Sequence, residues 1–253
     1  MGKTAIVTGA SSGIGKAFVK ALLESGDCPD TIWITARRMD RLEKMAELSS
    51  KIVPIKADIG SSEGIDILKN KLKEQTPDVS LLINCAGMGK RGNIADRDPS
   101  EISDVISLNC TALSVLSAEV IPYMSEGAAI INVASTAAFL PQPGFTVYAA
   151  SKSYVVSFSR ALACELKSKG ISVTAVCPGP VNTEFNSLAT DGKSAEFKGF
   201  RKLLAADADK LAKASLKAAS HKRRMFVYGF SQKALHVVSK LMPVGLMLKI
   251  VYG

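Results

Sequence analysis

The chain has 253 residues, 47% of them hydrophobic, enough for one large domain around a substantial core. Its 32 basic and 23 acidic residues leave a net charge of +9, a bias toward acidic partners or anionic surfaces that says nothing about fold. Five cysteines without a C-x-x-C spacing argue against a disulfide framework, and the isolated His221 and His236 argue against a metal site.

The first expected strand, residues 4–8, runs through Gly9, Ala10, Ser11, Ser12, Gly13, Ile14 and Gly15 to Lys16, inside a helix expected over 14–25. A strand turning through glycines into a helix binds phosphate, because the free N–H groups and positive end of the helix face the anion. A triphosphatase P-loop needs a glycine five residues before its Gly-Lys pair and a Ser or Thr after it. Ala10 and Ala17 stand there, so that reading fails. What survives is Gly-x-x-x-Gly-x-Gly, a variant of the dinucleotide turn. Gly9 takes the tight turn, while Gly13 and Gly15 allow close approach of phosphate and sheet.

Further strands are expected at residues 31–36, 52–57, 80–84, 129–134, 172–177 and 225–228, mostly as continuous apolar runs. Helices are expected at 41–48, 63–74, 99–124, 147–168 and 208–219, the last with Asp207 as N-cap. This alternation predicts an α/β fold: a doubly wound, Rossmann-type parallel sheet of seven strands with helices on both faces. Residues 1–229 are read as one dinucleotide-binding and catalytic domain, and 230–253 as a helical extension packed on it. The chain enters its first strand at once, leaving no room for a secretory leader, and Ile6 stands where a myristoylation site requires Ser or Thr. No apolar run reaches the ~20 residues of a membrane span. Cys85, Cys110, Cys164 and Cys177 read as buried thiols, and a cytoplasmic location is expected.

In such sheets ligands bind where the carboxyl ends of the strands meet loops. After the second strand a free ribose hydroxyl wants an acid, whereas a 2′-phosphate wants cations. This chain has Ala36, Arg37 and Arg38 there, which predicts NADP(H) rather than NAD(H). Tyr148 and Lys152 stand four apart, hence on one helix face. The ammonium is expected to lower the phenol's pKa from ~10 toward the working range. Ser135, at the end of the fifth strand, is placed to bond the same substrate oxygen.

The turn from Thr8 to Gly15, then Asn84-Cys85-Ala86-Gly87, Asn109, Ser135, Tyr148-Ala149-Ala150-Ser151-Lys152 and Pro178-Gly179 with Thr183 occur in a recognisable order and spacing. Over residues 3–183 the chain resembles the short-chain dehydrogenases/reductases. The resemblance implies that Tyr148 is the catalytic acid/base, that Lys152 tunes it and binds the nicotinamide ribose, that Ser135 orients the carbonyl, and that Asn109 holds a relay water. It also implies a cofactor-binding set of Gly9, Ser11, Ser12, Gly13, Ile14, Gly15, Arg37, Arg38, Asp58, Ile59, Asn84, Ala86, Gly87, Pro178, Gly179, Val181 and Thr183, with Tyr148 and Lys152. Asp58 would contact the adenine and Thr183 the nicotinamide amide. Sugar-nucleotide epimerases share the Tyr–Lys pair but resemble Gly-x-x-Gly-x-x-Gly at the first loop and carry a longer substrate domain, so they fit less well.

The expected activity is an NADP(H)-dependent interconversion of a carbonyl and an alcohol. The alternative is an NADPH-sensing protein on the same fold, disfavoured by the joint presence of Ser135, Tyr148 and Lys152. The segment 184–204 mixes Phe185, Leu188, Phe197, Phe200, Leu203 and Leu204 with Lys193, Lys198, Arg201 and Lys202, and is expected to cover a lipophilic substrate such as a steroid-like ketone or a 3-oxoacyl group. After Gly229 the residues Leu235, Val238, Leu241 and Met242 fall at helical spacing until Pro243 interrupts. That extension reads as a core or subunit-contact helix, an apolar lid, or a basic-apolar foot on a membrane. A homo-oligomer, dimer or tetramer, is expected. The basic cluster at 221–224 suits a helix C-terminus, and no nucleic-acid motif accompanies it.

Overall fold

A computed structural model describes residues 2–190 and 205–252. Seven parallel strands form one sheet in the order β3-β2-β1-β4-β5-β6-β7. They are β1 (Lys3–Thr8), β2 (Thr31–Ala36), β3 (Ile52–Lys56), β4 (Asp78–Asn84), β5 (Ala129–Val133), β6 (Ser172–Cys177) and β7 (Met225–Val227). The strand order reverses between β1 and β4, which pair through Ala5–Leu81 and Val7–Ile83. That reversal opens the crevice in which the site lies.

Successive side chains in a strand point to opposite faces, so each apolar run feeds two cores. Val7, Ile34 and Ile83 enter one core with Phe18 of α1 (Gly13–Leu23) and Leu211 of α8 (Ala208–Ser220). Their neighbours Ile6, Trp33 and Leu82 enter the other. There they meet Leu68 and Leu72 of α3 (Ser62–Gln75), Leu116 and Val120 of α5 (Leu113–Val120), and Leu162 of α6 (Thr146–Glu165). The doubly wound expectation is met. Asp207 caps α8 as expected, its Oδ1 accepting from the Lys210 amide at 2.8 Å.

Several expectations change. The helix expected over 99–124 is α4 (Pro99–Ile106), a π-helical turn (Ser107–Ala112) and α5, ending in a short 3-10 turn. Pro99–Tyr123 is long and apolar enough to cross a membrane. Its Leu113, Leu116 and Val120 are instead buried in the sheet's cores. Cys164 is exposed rather than buried, and Cys85 is half-buried. The remaining helices are α2 (Met39–Ala46), α7 (Phe185–Ala189), α9 (Phe230–Leu241) and α10 (Val244–Tyr252). Pro243 separates the last two, as the sequence predicts.

Candidate active site

A cavity of about 420 Å³ runs along the carboxyl edge of the sheet. Its floor is the turn from β1 into α1. Gly9 has φ +68° and Gly13 φ +53°, conformations that side chains rarely adopt. A Cβ on Gly9 would lie 2.8 Å from the Ala86 backbone, so that residue must be glycine for the β1 and β4 loops to meet. Thr8 ties the same loops together, its Oγ1 accepting from the amides of Cys85 at 3.0 Å and Ala86 at 3.1 Å. Ser12 is the N-cap of α1, yet its side chain makes no capping bond. Its hydroxyl accepts instead from Arg38 Nη2 at 3.0 Å, and Ser11 Oγ accepts from the same nitrogen at 3.1 Å. The helix N-terminus is thus free of a side-chain cap, with a guanidinium beside it, an arrangement suited to a phosphate.

The two adjacent arginines part ways. Arg37 reaches Asp58 Oδ2 at 3.8 Å with its side chain 73% exposed. Arg38 turns to the glycine loop and also donates to Glu184 Oε2 at 3.1 Å. Arg41, on α2, donates to both Glu184 oxygens at 2.7 and 2.8 Å. The hydrogen bonds from Arg41 and then Arg38 hold the Glu184 carboxyl below the ordinary carboxylate range. A carboxylate therefore sits between two guanidiniums at the edge of the glycine loop.

At the other end of the cavity, α6 brings Tyr148 and Lys152 to one face. The Tyr148 ring stacks on Phe145 at 4.3 Å and leans on Phe185 at 5.3 Å. Burial pushes its phenol up to about 12, against smaller lowering effects of a Ser135 hydrogen bond and the Arg91 charge. The net direction is upward, against the sequence expectation that the phenol would be brought toward the working range. The Lys152 ammonium lies 5.7 Å from the ring centroid and donates to the Val133 carbonyl at 2.9 Å. Burial brings Lys152 itself down to about 8. At neutral pH this arrangement is a protonated phenol beside a cation, with the Ser135 hydroxyl on the phenol: a proton donor poised for an oxygen.

Behind these groups lies a buried polar ladder. Asn84 Nδ2 donates to Ser117 Oγ at 3.1 Å and to Asn132 Oδ1 at 2.9 Å, and Asn132 Nδ2 donates to Ser159 Oγ at 2.9 Å. Asn84 is thus a correction: the pleat turns it into the core, and only its neighbours Cys85, Ala86 and Gly87 line the cavity. Asn109 also stands back from the lining. The π-helical turn aims it at the β4 loop, where Nδ2 donates to Met88 O at 2.8 Å and Ser151 Oγ at 2.9 Å, and Oδ1 accepts from the Met88 amide at 2.9 Å. Such turns recur at functional sites. Here the turn makes Asn109 a strut under the site.

The other expected residues do meet in the cavity wall: Gly9, Ser11, Ser12, Gly13, Ile14, Gly15, Arg37, Arg38, Asp58, Ile59, Ala86, Gly87, Ser135, Tyr148, Lys152, Pro178, Gly179, Val181 and Thr183. Gly13 packs on Thr183, whose side chain would lie 3.1 Å from a Cβ there. Of the expected substrate cover, Phe185 and Leu188 line the cavity, and residues 191–204 lie outside the described residues. Among the described residues, none of α9 or α10 lines the cavity. Sequence reasoning missed Arg41, Glu184 as its partner, and Arg91. Arg41 had a signal, since it follows Arg38 by three residues on the same helix side. The other two had none.

A family model described as short chain dehydrogenase matches residues 3–194. A sulfoacetaldehyde reductase of Chromohalobacter salexigens is 35% identical over 196 residues, covering 75% of this chain and 76% of the relative. Against a short chain dehydrogenase of Pseudocercospora fijiensis, 33% identical over 195 residues, the match takes in 74% of this chain but only 62% of the relative's length. A solved short-chain dehydrogenase from Sphingobium yanoikuyae, in complex with NADPH, superposes with TM-score 0.78 at 27% identity, covering 99% of this chain and 97% of that one. A 3-ketoacyl-(acyl-carrier-protein) reductase from Brucella melitensis, complexed with NADH, gives TM-score 0.76 at 26% identity, with 89% and 96% covered.

Proposed function

We propose that this chain, which belongs to the short-chain dehydrogenase/reductase family, is an NADP(H)-dependent reductase of lipophilic carbonyl compounds. The observation that carries the cofactor preference is the cradle of Arg38, Arg41, Ser11 and Ser12 at the glycine loop, with no acid at the end of β2. Two guanidiniums and two hydroxyls match the demands of a phosphate monoester, which accepts several charge-assisted bonds. Glu184 occupies that cradle as a carboxylate and would give way to the more highly charged group. Arg38, rather than Arg37, is the discriminating residue in this reading.

The pyrophosphate would lie at the uncapped start of α1, against Gly13 and Gly15, and the nicotinamide end would face Tyr148 near Thr183 and Pro178–Gly179. The cofactor, when bound, supplies the hydride. What this chain's own residues supply is the proton and the geometry. Ser135 and Tyr148 hold the carbonyl oxygen by hydrogen bonds, and Tyr148 gives up its proton as negative charge develops there. Lys152 lies beneath as a buried cation that stabilises the phenolate left behind. Phe145 and Phe185 flank the phenol and keep bulk water from the oxygen.

The substrate end of the cavity is built from Phe145, Phe185 and Leu188. Among the described residues a cation stands with them: the Arg91 guanidinium, 4.6 Å over the Phe145 ring. Such a pocket suits a carbonyl compound with an apolar body and an anionic group near the carbonyl. The deciding experiment is a screen of NADPH and NADH oxidation against steroid-like ketones, 3-oxoacyl thioesters and small polar aldehydes. Turnover of the lipophilic compounds with NADPH is expected. Cofactor binding without turnover on any carbonyl would favour a sensor, and turnover confined to small polar aldehydes would overturn the substrate class.

A further inference from the structure

The net charge of +9 is not spread along the chain. Residues 210–253 hold nine of the 32 lysines and arginines and none of the 23 acidic residues, so the preceding 209 residues are balanced, 23 basic against 23 acidic. The whole excess belongs to the last two elements of the sheet's outer edge and the extension beyond them.

That extension rests lightly on the domain. No residue of α9 is buried; it meets the domain through His236, whose ring lies 4.3 Å from Phe139, and through Gln232, which packs beside Gly179. In α10, Met247 is turned inward and 4% exposed. The outer sides are strongly apolar. Phe230 is 89% exposed, Leu241 78% and Ile250 66%, with Val237, Val244 and Leu246 about half exposed. Phe230, Val237 and Leu241 are spaced by seven and four, which places them in one stripe along α9. Lys233 and Lys240, also exposed and seven apart, run beside that stripe, and the exposed Lys249 stands on α10. A monomer's surface commonly shows single apolar side chains, but a stripe of this kind marks an interaction site.

We propose that α9 and α10 form a foot that seats this protein on an anionic lipid surface. Helices lying in a membrane interface have this constitution: apolar side chains on one side, lysines flanking them, and no carboxylates to repel lipid phosphates. Pairing with a second copy fits less well. An isologous interface would set the same patch against itself, lysines facing lysines, with no acid in residues 210–253 of either chain to neutralise them. None of the described residues of the foot lines the cavity.

The test is co-sedimentation of the full-length chain with vesicles of phosphatidylcholine alone and of phosphatidylcholine doped with phosphatidylglycerol. The protein should bind only the anionic vesicles and leave them at high salt. A Lys233→Gln, Lys240→Gln, Lys249→Gln variant should bind roughly 100-fold more weakly, about fivefold per lysine. A Phe230→Ser, Leu241→Ser, Ile250→Ser variant should weaken binding roughly tenfold or more. All six side chains point outward, so circular dichroism and carbonyl turnover should be unchanged in both. Absence of vesicle binding, equal uptake by neutral vesicles, or binding indifferent to both variants overturns the foot. So does a change of oligomeric state in the serine variant with vesicle binding unaltered, which would show that a second copy covers this face.

Discussion

At one end of the cavity Tyr148 is 9% exposed and Lys152 5%, and burial displaces the proton affinity of both. At the other end Arg38, Arg41 and Glu184 keep 37–46% of their side-chain surface in water and are held by ion pairs. In the proposed function the buried end does the chemistry, because a group held away from solvent can be given a proton affinity that water would not allow. In the same proposal the exposed end does recognition. Ion pairs open to water contribute little to stability, so a carboxylate there can be exchanged for a phosphate at small cost. Substitutions at the first end should therefore change rates, and those at the second should change which cofactor is preferred.

The largest effect expected is at the phenol. Tyr148→Phe keeps the ring that stacks on Phe145 and removes the proton donor, so kcat should fall by ~10²–10⁴ while cofactor affinity holds. Single-turnover rates beside cofactor titrations would check this, and near-normal turnover would sink the mechanism. Arg38→Ala comes next. Loss of charge-assisted bonds worth roughly 1.5–3 kcal/mol should weaken NADPH by about one to two decades and NADH hardly at all. Arg37→Ala, whose side chain points to Asp58, should discriminate far less. If Arg37 proves the stronger determinant, the assignment of the cradle is wrong.

Acidity should separate the two ends further. Lys152, at about 8 against an ordinary 10.5, loses its charge as pH rises through about 8, whereas Tyr148 keeps its proton to about 12. Reductive kcat/KM should therefore fall above pH ~8 by up to about tenfold per unit. The guanidinium of Lys152→Arg stays charged, so in that variant the limb should move to higher pH; a limb that stays in place assigns it to another group. The smallest effect is at Glu184. Glu184→Gln removes the carboxylate that competes for Arg38 and Arg41, and should tighten NADPH by a few-fold at low ionic strength, an advantage that salt erases. Weaker NADPH binding in that variant would mean that Glu184 supports the cradle rather than competing for it.

Much of this protein was legible before its structure. The strands announced themselves because a parallel sheet covered on both faces needs unbroken apolar runs, and Ala5-Ile6-Val7 or Leu81-Leu82-Ile83 have no other use. The glycine turn was legible because backbone at φ +68° and +53° selects glycine locally. Tyr148 and Lys152 were legible as a pair because a helix brings residues four apart to one side. Each of these is decided within a few residues of chain.

What tertiary structure alone decided involves distant partners or solvent. Arg38 rather than Arg37 joins Ser11 and Ser12 at the glycine loop, where its partners include Glu184, 146 residues away. Asn84 turns inward because Ser117 and Asn132 wait there, and so the family's loop presents Ala86 and Gly87 instead. Whether the phenol's affinity for its proton rises or falls depended on burial against Phe145 and Phe185, which outweighed every charge nearby. The extension had its helices written in its periodicity, but periodicity cannot say which side meets water. Only the folded edge of the sheet shows that Phe230, Leu241 and Ile250 do.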